Sequence, residues 1–220
     1  MSEIESLAGA EPLDQHLQRH RTDRIIMLSD GIFAIVTTLA ALEIHLPTDA
    51  VSLAALLDES RQSLIAYVLS FLFTAVFWIN NRELYARVAR TDKILTTLTL
   101  ATLCLIAIVP AAVHVIYIKG GLEVGFRFYA GVMMACGIAN SASWIYWAAR
   151  PGVARAGISA MERWGRATPT LFMPLLFAIM IISDFNNLLP VVLSASAVMI
   201  VLRRLVLPRL WSRKAVDSPA

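Results

Sequence analysis

The chain has 220 residues, of which 58% are hydrophobic and only 16% charged, and its mean hydropathy is +0.66. So few charged side chains cannot cover a soluble domain of this length, which excludes a soluble globular protein and favours one embedded in a lipid bilayer. The net charge of +3 does not indicate nucleic-acid binding, because the basic residues form separate clusters between apolar runs.

Residues 1–23 are polar and acidic, unlike the positive start of a secretory signal, and they predict a cytoplasmic N-terminal segment without cleavage. The first apolar run, residues 24–47, is long enough at about 1.5 Å per residue to cross a hydrocarbon layer of about 30 Å. It contains Asp30, whose carboxylate costs on the order of 2.5 to 3.5 kcal/mol unless protein or water receives it. This span is therefore expected to face protein or water as well as lipid.

Five further spans follow the first along the chain. A polar connection over residues 48–62 precedes the second span, predicted at about 63–80, and the third, at about 94–118, is interrupted by Pro110. The others are predicted at about 126–149, 168–182 and, for the sixth, up to about residue 207. The fold class is thus an all-α integral membrane protein with six transmembrane helices, made of one domain over 24–207 and a basic cytoplasmic tail over 208–220.

The distribution of Lys and Arg predicts the orientation of these spans. They concentrate in the N-terminal segment, in the loops after spans two and four, and in the tail, while the alternate loops hold few. By the positive-inside rule both termini are cytoplasmic, as expected of a multi-pass protein of the cell membrane. Trp144 and Trp147, near the end of span four, agree, since amphipathic rings favour the headgroup layer.

No motif of an enzyme occurs in the sequence. A Gly-rich phosphate loop, a G-x-S-x-G elbow, an H-E-x-x-H pair and a Cys/His group with ligand spacing are all absent. We therefore predict no enzymatic activity, no cofactor and no fixed metal site, and favour ion conduction or transport.

An apolar stripe about 60° wide runs along the first span and consists, at 100° per residue, of Ile35, Leu39, Leu42 and Leu46. Thr38 borders the stripe, and Ile35 lies about 16 Å from Arg24, close to the bilayer midplane. The stripe could pack against a neighbouring helix. If copies of the helix surround an axis instead, its side chains form a constriction that excludes water, with Thr38 hydroxyls available to a partly dehydrated cation.

The motif Arg24-x-x-x-Leu28-Ser29-Asp30-Gly31 and the apolar helix after it resemble the R-x-x-x-F-S-D signature of the transmembrane protein 175 family of potassium channels. The single six-helix unit is similar to the prokaryotic branch, which assembles as a homotetramer. The resemblance implies that the first helix lines a central potassium pore and that three residues form its hydrophobic constriction: Ile35, Leu39 and Leu42. It also implies that Thr38 contributes to potassium preference.

The resemblance implies that Arg24, Ser29 and Asp30 tie the inner end of the pore helix to its neighbours. Arg24 and Asp30 lie six residues, or about 240°, apart, so they cannot pair with each other and each needs a partner from another helix. Candidate partners stand near the inner end of span two: Asn80, Asn81 and Arg82. Trp78 and Asn80 are assigned to helix packing in the same region.

This sequence departs from the family pattern in two places. Leu28 replaces the motif phenylalanine, which removes any ring stacking there. After Trp78 the family has a histidine, whereas this chain has Asn80 and Asn81. The T-V-G-Y-G segment of other potassium channels is also absent, so we expect modest selectivity.

The resulting prediction is a symmetric cation channel, expected to be a homotetramer, that passes potassium passively. A proton-coupled secondary transporter, in which Asp30 cycles its protonation, is the main alternative. A nonconducting membrane scaffold is the third possibility, and it would require neither Thr38 nor the apolar stripe for ion flux.

Overall fold

The computed structural model describes residues 13–44, 46–47, 51–116 and 122–183, and this part of the chain is all-helical. Its helices are α1 (Leu13–Leu42), α2 (Leu53–Tyr85), α3 (Lys93–Ile106), α4 (Val109–Ile116), α5 (Leu122–Ala149), α6 (Ala160–Ala167) and α7 (Phe172–Ile182). A 3-10 turn over Thr168–Leu171 joins the last two. No strand occurs within these ranges, so the predicted all-α class is confirmed for them.

Among the described residues, four stretches are long and apolar enough to cross a bilayer: His20–Leu42, Leu53–Tyr85, Lys93–Ile116 and Ala160–Ile182. They correspond to predicted spans one, two, three and five. Predicted span four corresponds to helix α5, which is not among these four. The predicted sixth span and the basic tail lie outside the described residues.

Two helices begin earlier than the apolar runs predicted. Helix α1 runs without a break from Leu13, eleven residues before Arg24. Helix α2 begins at Leu53, where the sequence predicted a polar connection up to residue 62. Ser52 caps α2, since its side chain accepts a hydrogen bond of 3.2 Å from the Ala55 backbone N–H. The Leu- and Ala-rich turn that follows favours helix despite its polar neighbours.

The third span is broken into two helices. Helix α3 ends at Ile106 and α4 begins at Val109, with Ala107 and Ile108 in a turn between them. Pro110 accounts for the break, because its ring has no N–H to donate and collides with the carbonyl four residues earlier. This agrees with the predicted interruption at Pro110.

Helix α5 lies at the centre of the bundle and packs against α3, α4, α6 and α7. A close approach at Gly137 makes the contact with α7 possible, since a Cβ at that position would lie 2.7 Å from Cδ of Pro174. Helix α1 lies at the edge and packs mainly against α2, and also against α3 and α4.

The loops over residues 86–92 and 150–159 meet at one end of the bundle, which we call the basic end. The Ala89 N–H donates to the Val153 carbonyl at 2.8 Å, and the Arg155 N–H donates to the Arg87 carbonyl at 3.0 Å. These bonds form an isolated antiparallel bridge between Val88 and Ala154. The two basic loops that the charge pattern predicted to share one side of the membrane therefore lie at the same end of the molecule.

Candidate functional site

Helix α1 has one covered face and one uncovered face. Four residues at helical spacing are buried against the neighbouring helices: Ser29, Phe33, Val36 and Ala40. The predicted apolar stripe lies on the other side, where Ile35 is 58% exposed, Leu39 45% and Leu42 78%. We call the face formed by Ile35, Thr38, Leu39 and Leu42 the open face, because the helices of the described part of the chain leave it uncovered.

Thr38 is the polar member of the open face. Its hydroxyl donates to the backbone carbonyls of Ala34, at 3.1 Å, and Ile35, at 2.8 Å. A hydroxyl oxygen that donates its proton still has lone pairs, so it can accept a hydrogen bond or contact a cation. The open face therefore combines large apolar side chains with one oxygen ligand, four residues before the end of α1.

Near the basic end, α1 is joined to α2 through Asp30. The Trp78 indole Nε1–H donates a hydrogen bond of 2.7 Å to Oδ1 of Asp30. The guanidinium carbon of Arg82 lies 4.8 Å from the centre of the same indole ring. A cation above the ring and a carboxylate at its N–H edge match the charge distribution of the indole, so the three groups form one polar contact between the two helices.

This contact corrects the partner predicted for Asp30. Trp78 provides the hydrogen bond, Arg82 acts through the indole, and Asn80 and Asn81 make no hydrogen bond to Asp30 or Arg24 within the described residues. The orientation of α2 explains the difference, because Trp78 and Arg82 lie one turn apart on the same face. A tryptophan N–H within a span needs an acceptor, and that requirement could have indicated the Asp30–Trp78 pair from the sequence.

The other two motif residues occupy different environments. Ser29 is fully buried, and its hydroxyl donates to the Ile25 carbonyl at 2.8 Å, which leaves a small, satisfied side chain where α1 meets its neighbours. Arg24 is exposed and lies in a cleft at the basic end with other cations. The predicted partner of Arg24 on span two is therefore not found among the described residues.

A second polar contact joins the opposite end of α1 to α4. Nδ1 of His114, on α4, lies 2.6 Å from Oε2 of Glu43, just beyond the end of α1. The two residues are 71 positions apart, so no local sequence pattern pairs them.

Three comparisons relate this chain to known proteins. Residues 24–110 match the family described as endosomal/lysosomal potassium channel TMEM175. A potassium channel from Streptomyces collinus is 34% identical over 131 residues, which cover 57% of this chain and 64% of that protein. A potassium channel from Chamaesiphon minutus is 32% identical over 134 residues, which cover 58% of this chain and 66% of that protein.

The matched part of the chain thus spans slightly less than two thirds of the length of these two relatives. A solved structure extends the similarity further along the chain. The crystal structure of a lysosomal potassium-selective channel TMEM175 homolog from Chamaesiphon minutus matches with a TM-score of 0.65 and 26% sequence identity. That match covers 82% of this chain and 95% of the solved one.

Proposed function

We infer that this chain, which belongs to the TMEM175 family, is a potassium channel that passes the ion passively down its gradient. The names of the relatives support potassium as the permeant ion, since both bacterial proteins are potassium channels and the solved homolog belongs to a potassium-selective channel family. The proposal requires no enzymatic step and no cofactor.

The proposed assembly is a homotetramer of six-span chains in which α1 of each copy lines a central pore. The open face carries this proposal. Apolar side chains that stay exposed on one face of a membrane helix, beside a single threonine, fit a position around a symmetry axis. Both termini are proposed to be cytoplasmic, so the basic end would face the cytoplasm.

Ile35, Leu39 and Leu42 are proposed to form the constriction. Rings of branched side chains exclude water when they are close together, so conduction would require them to move apart or rotate. Thr38 would then be the oxygen that a partly dehydrated ion meets beside the constriction. Selectivity should be modest, because side-chain hydroxyls replace a hydration shell less completely than ordered carbonyls do.

Arg24, Ser29 and Asp30 are proposed to hold the inner end of the pore helix. The contact of Asp30 with Trp78 and Arg82 supports this role, since it fixes the rotation of α1 against α2 near the basic end. The half-buried Asn80 is assigned to packing in the same region.

Potassium flux from liposomes tests the proposal. The purified protein is reconstituted with potassium inside and an impermeant cation outside, and the native chain is compared with Ile35→Asn and Leu39→Asn. Flux without a proton gradient is expected from the native chain, and it should rise in both variants because a polar ring no longer excludes water. Leu69→Asn is the control, since Leu69 lies at the middle of α2 and is 48% exposed, close to the 45% of Leu39.

Two results would contradict this function. Flux that requires a proton gradient and ignores both substitutions would instead support the proton-coupled transporter with Asp30 as its titrating group. An equal rise in Leu69→Asn would show that the effect comes from general destabilisation rather than from the open face.

A further inference from the structure

A cleft of about 820 Å³ opens at the basic end, between the N-terminal half of α1 and the start of α3. Four cationic side chains line it: Arg21, Arg24, Arg90 and Lys93. We call it the basic cleft. The proposed channel function gives it no role.

A bond between distant parts of the chain brings these cations together. The hydroxyls of Thr22 and Thr91 lie 2.6 Å apart, and Thr91 is buried. Thr22 stands between Arg21 and Arg24 on α1, and Thr91 stands between Arg90 and Lys93. The fold thus holds two pairs of like charges near one another, an arrangement that is unfavourable until a negative charge enters the cleft.

The chain supplies little negative charge of its own to the cleft. Asp92 is the one carboxylate among the described residues that line it, and both of its oxygens are occupied. Oδ1 accepts from the Leu95 backbone N–H at 2.9 Å, as the N-cap of α3, and Oδ2 accepts from the Tyr146 hydroxyl. Asp92 therefore lowers the positive potential in the cleft without pairing with any of the four cations.

The four cations of the basic cleft lack the ion-pair partners that three other arginines in the described ranges have. Arg87, Arg127 and Arg166 each form an ion pair with a glutamate four residues earlier on the same helix. Within those ranges, none of the four cleft cations has an ion pair or a side-chain hydrogen bond. Their N–H groups are free to bind a ligand. The Thr97 hydroxyl is not free to donate to a ligand, because it donates to the Lys93 carbonyl at 2.9 Å.

The depth of the cleft indicates the kind of ligand. The apolar run of α1 begins at Arg24 in the sequence and the apolar span of α3 begins at Lys93, so all four cations lie within about one turn of the start of a span. That depth corresponds to the headgroup layer of a bilayer, where phospholipid phosphates lie. The N-terminus of α3 also opens into the cleft and adds the positive end of its dipole.

We propose that the basic cleft binds the phosphate group of an anionic phospholipid headgroup. Arginine and lysine side chains form charge-assisted hydrogen bonds with phosphate oxygens, and four of them from two segments can surround one headgroup. The bound lipid would join α1 to the start of α3. This binding is independent of conduction and is tested without measuring flux.

Native mass spectrometry of the purified protein provides the test. The native chain and Arg90→Gln/Lys93→Gln are titrated with phosphatidylglycerol, and with phosphatidylcholine of the same acyl chains. We expect the variant to bind phosphatidylglycerol about 25-fold more weakly, roughly fivefold per cation, with no change for phosphatidylcholine. Arg87→Gln/Arg166→Gln is the matched control, since it removes two charges that Glu83 and Glu162 already neutralise.

Three outcomes would overturn the proposal. An equal loss in the control variant would mean that overall charge attracts the lipid and that the cleft has no special role. Binding of millimolar inorganic phosphate, abolished by Arg90→Gln/Lys93→Gln while lipid binding persists, would identify a soluble phosphate as the ligand. A change in subunit number with unchanged lipid affinity would show that another copy of the chain occupies the cleft.

Discussion

The indole Nε1–H of Trp78, on α2, donates a hydrogen bond of 2.7 Å to Oδ1 of Asp30, on α1. This single bond joins the two helices where a charged residue interrupts an apolar span. It contributes to the rotation of α1 relative to α2, and so to which side chains appear on the open face. The same geometry makes the bond testable with a substitution that keeps the aromatic ring.

Trp78→Phe should lower the free energy of unfolding by about 1 kcal/mol, less than for a buried bond to a charged acceptor, because Asp30 is exposed and solvent screens the bond. Phenylalanine keeps an aromatic ring below Arg82 but removes the N–H. Thermal or denaturant unfolding in detergent measures the difference. Trp164→Phe is the control, since the Trp164 indole has no hydrogen-bond partner among the described residues, and equal losses in the two variants would contradict the assignment.

Gly137→Ala should destabilise the contact between α5 and α7 by about 1 to 3 kcal/mol, as overpacking in a tight core does. The added Cβ would lie 2.7 Å from Cδ and 2.8 Å from N of Pro174, and the backbone atom cannot move aside cheaply. Gly131→Ala, on the same helix, meets nothing within 4 Å and should be neutral or stabilising by about 0.5 to 1 kcal/mol. The free energies of unfolding of both variants, measured in detergent, check the prediction. Similar changes in the two variants would contradict it.

The pair of Glu43 and His114 should contribute about 0.5 to 1 kcal/mol of coupling between the end of α1 and α4. The value is small because the His114 side chain is 57% exposed and that of Glu43 25%. A double-mutant cycle with Glu43→Ala and His114→Ala measures it through unfolding of the four proteins. Strictly additive effects would mean that the contact does not tie the two helices together.

Thr38→Val should lower the potassium to sodium permeability ratio by about fivefold, because the free energy of one net hydrogen bond, about 1 kcal/mol, corresponds to that factor. Valine has nearly the same shape but no oxygen for a dehydrated cation. Reversal potentials with potassium on one side and sodium on the other report the ratio. Thr37→Val is the neighbouring control, because the Thr37 hydroxyl also bonds to its own helix but the residue is partly buried, away from the open face.

Leu42→Cys should form disulfide-linked dimers on mild oxidation if α1 of each copy surrounds a common axis. Leu42 is 78% exposed and belongs to the open face. The background is Cys104→Ser, because Cys104 is exposed, while the buried Cys136 can remain. Leu69→Cys should stay monomeric on a denaturing gel, and the opposite pattern would place α2 rather than α1 at the axis.

Local chemistry explains what the sequence predicted well. Hydropathy over windows of about 20 residues located four stretches that are helical in the structure and long enough to cross a bilayer, and the spacing of Ile35, Leu39 and Leu42 indicated a uniform apolar face on α1. The charge of Asp30 within a span required a partner, which the structure provides. Each of these properties depends on neighbouring residues alone, so it can be read without knowing where any other helix lies.

The start of α2 shows where local reasoning was incomplete. The polar residues after Leu53 suggested a loop, but the Ser52 cap and a run of good helix formers extend the helix by ten residues. Hydropathy detects where a helix enters lipid, whereas backbone hydrogen bonding decides where it begins. The two boundaries differ when a helix continues into water.

The sequence by itself determined that this chain is an all-helical membrane protein with an amphipathic first span and a charge that needs a partner. Only the tertiary structure decided that Trp78 is this partner, that Glu43 meets His114, and that cations from α1 and α3 share one cleft. The physical reason is that such contacts depend on the rotation and vertical shift of one helix against another. Packing over the whole bundle sets both, and no periodicity within one helix records them.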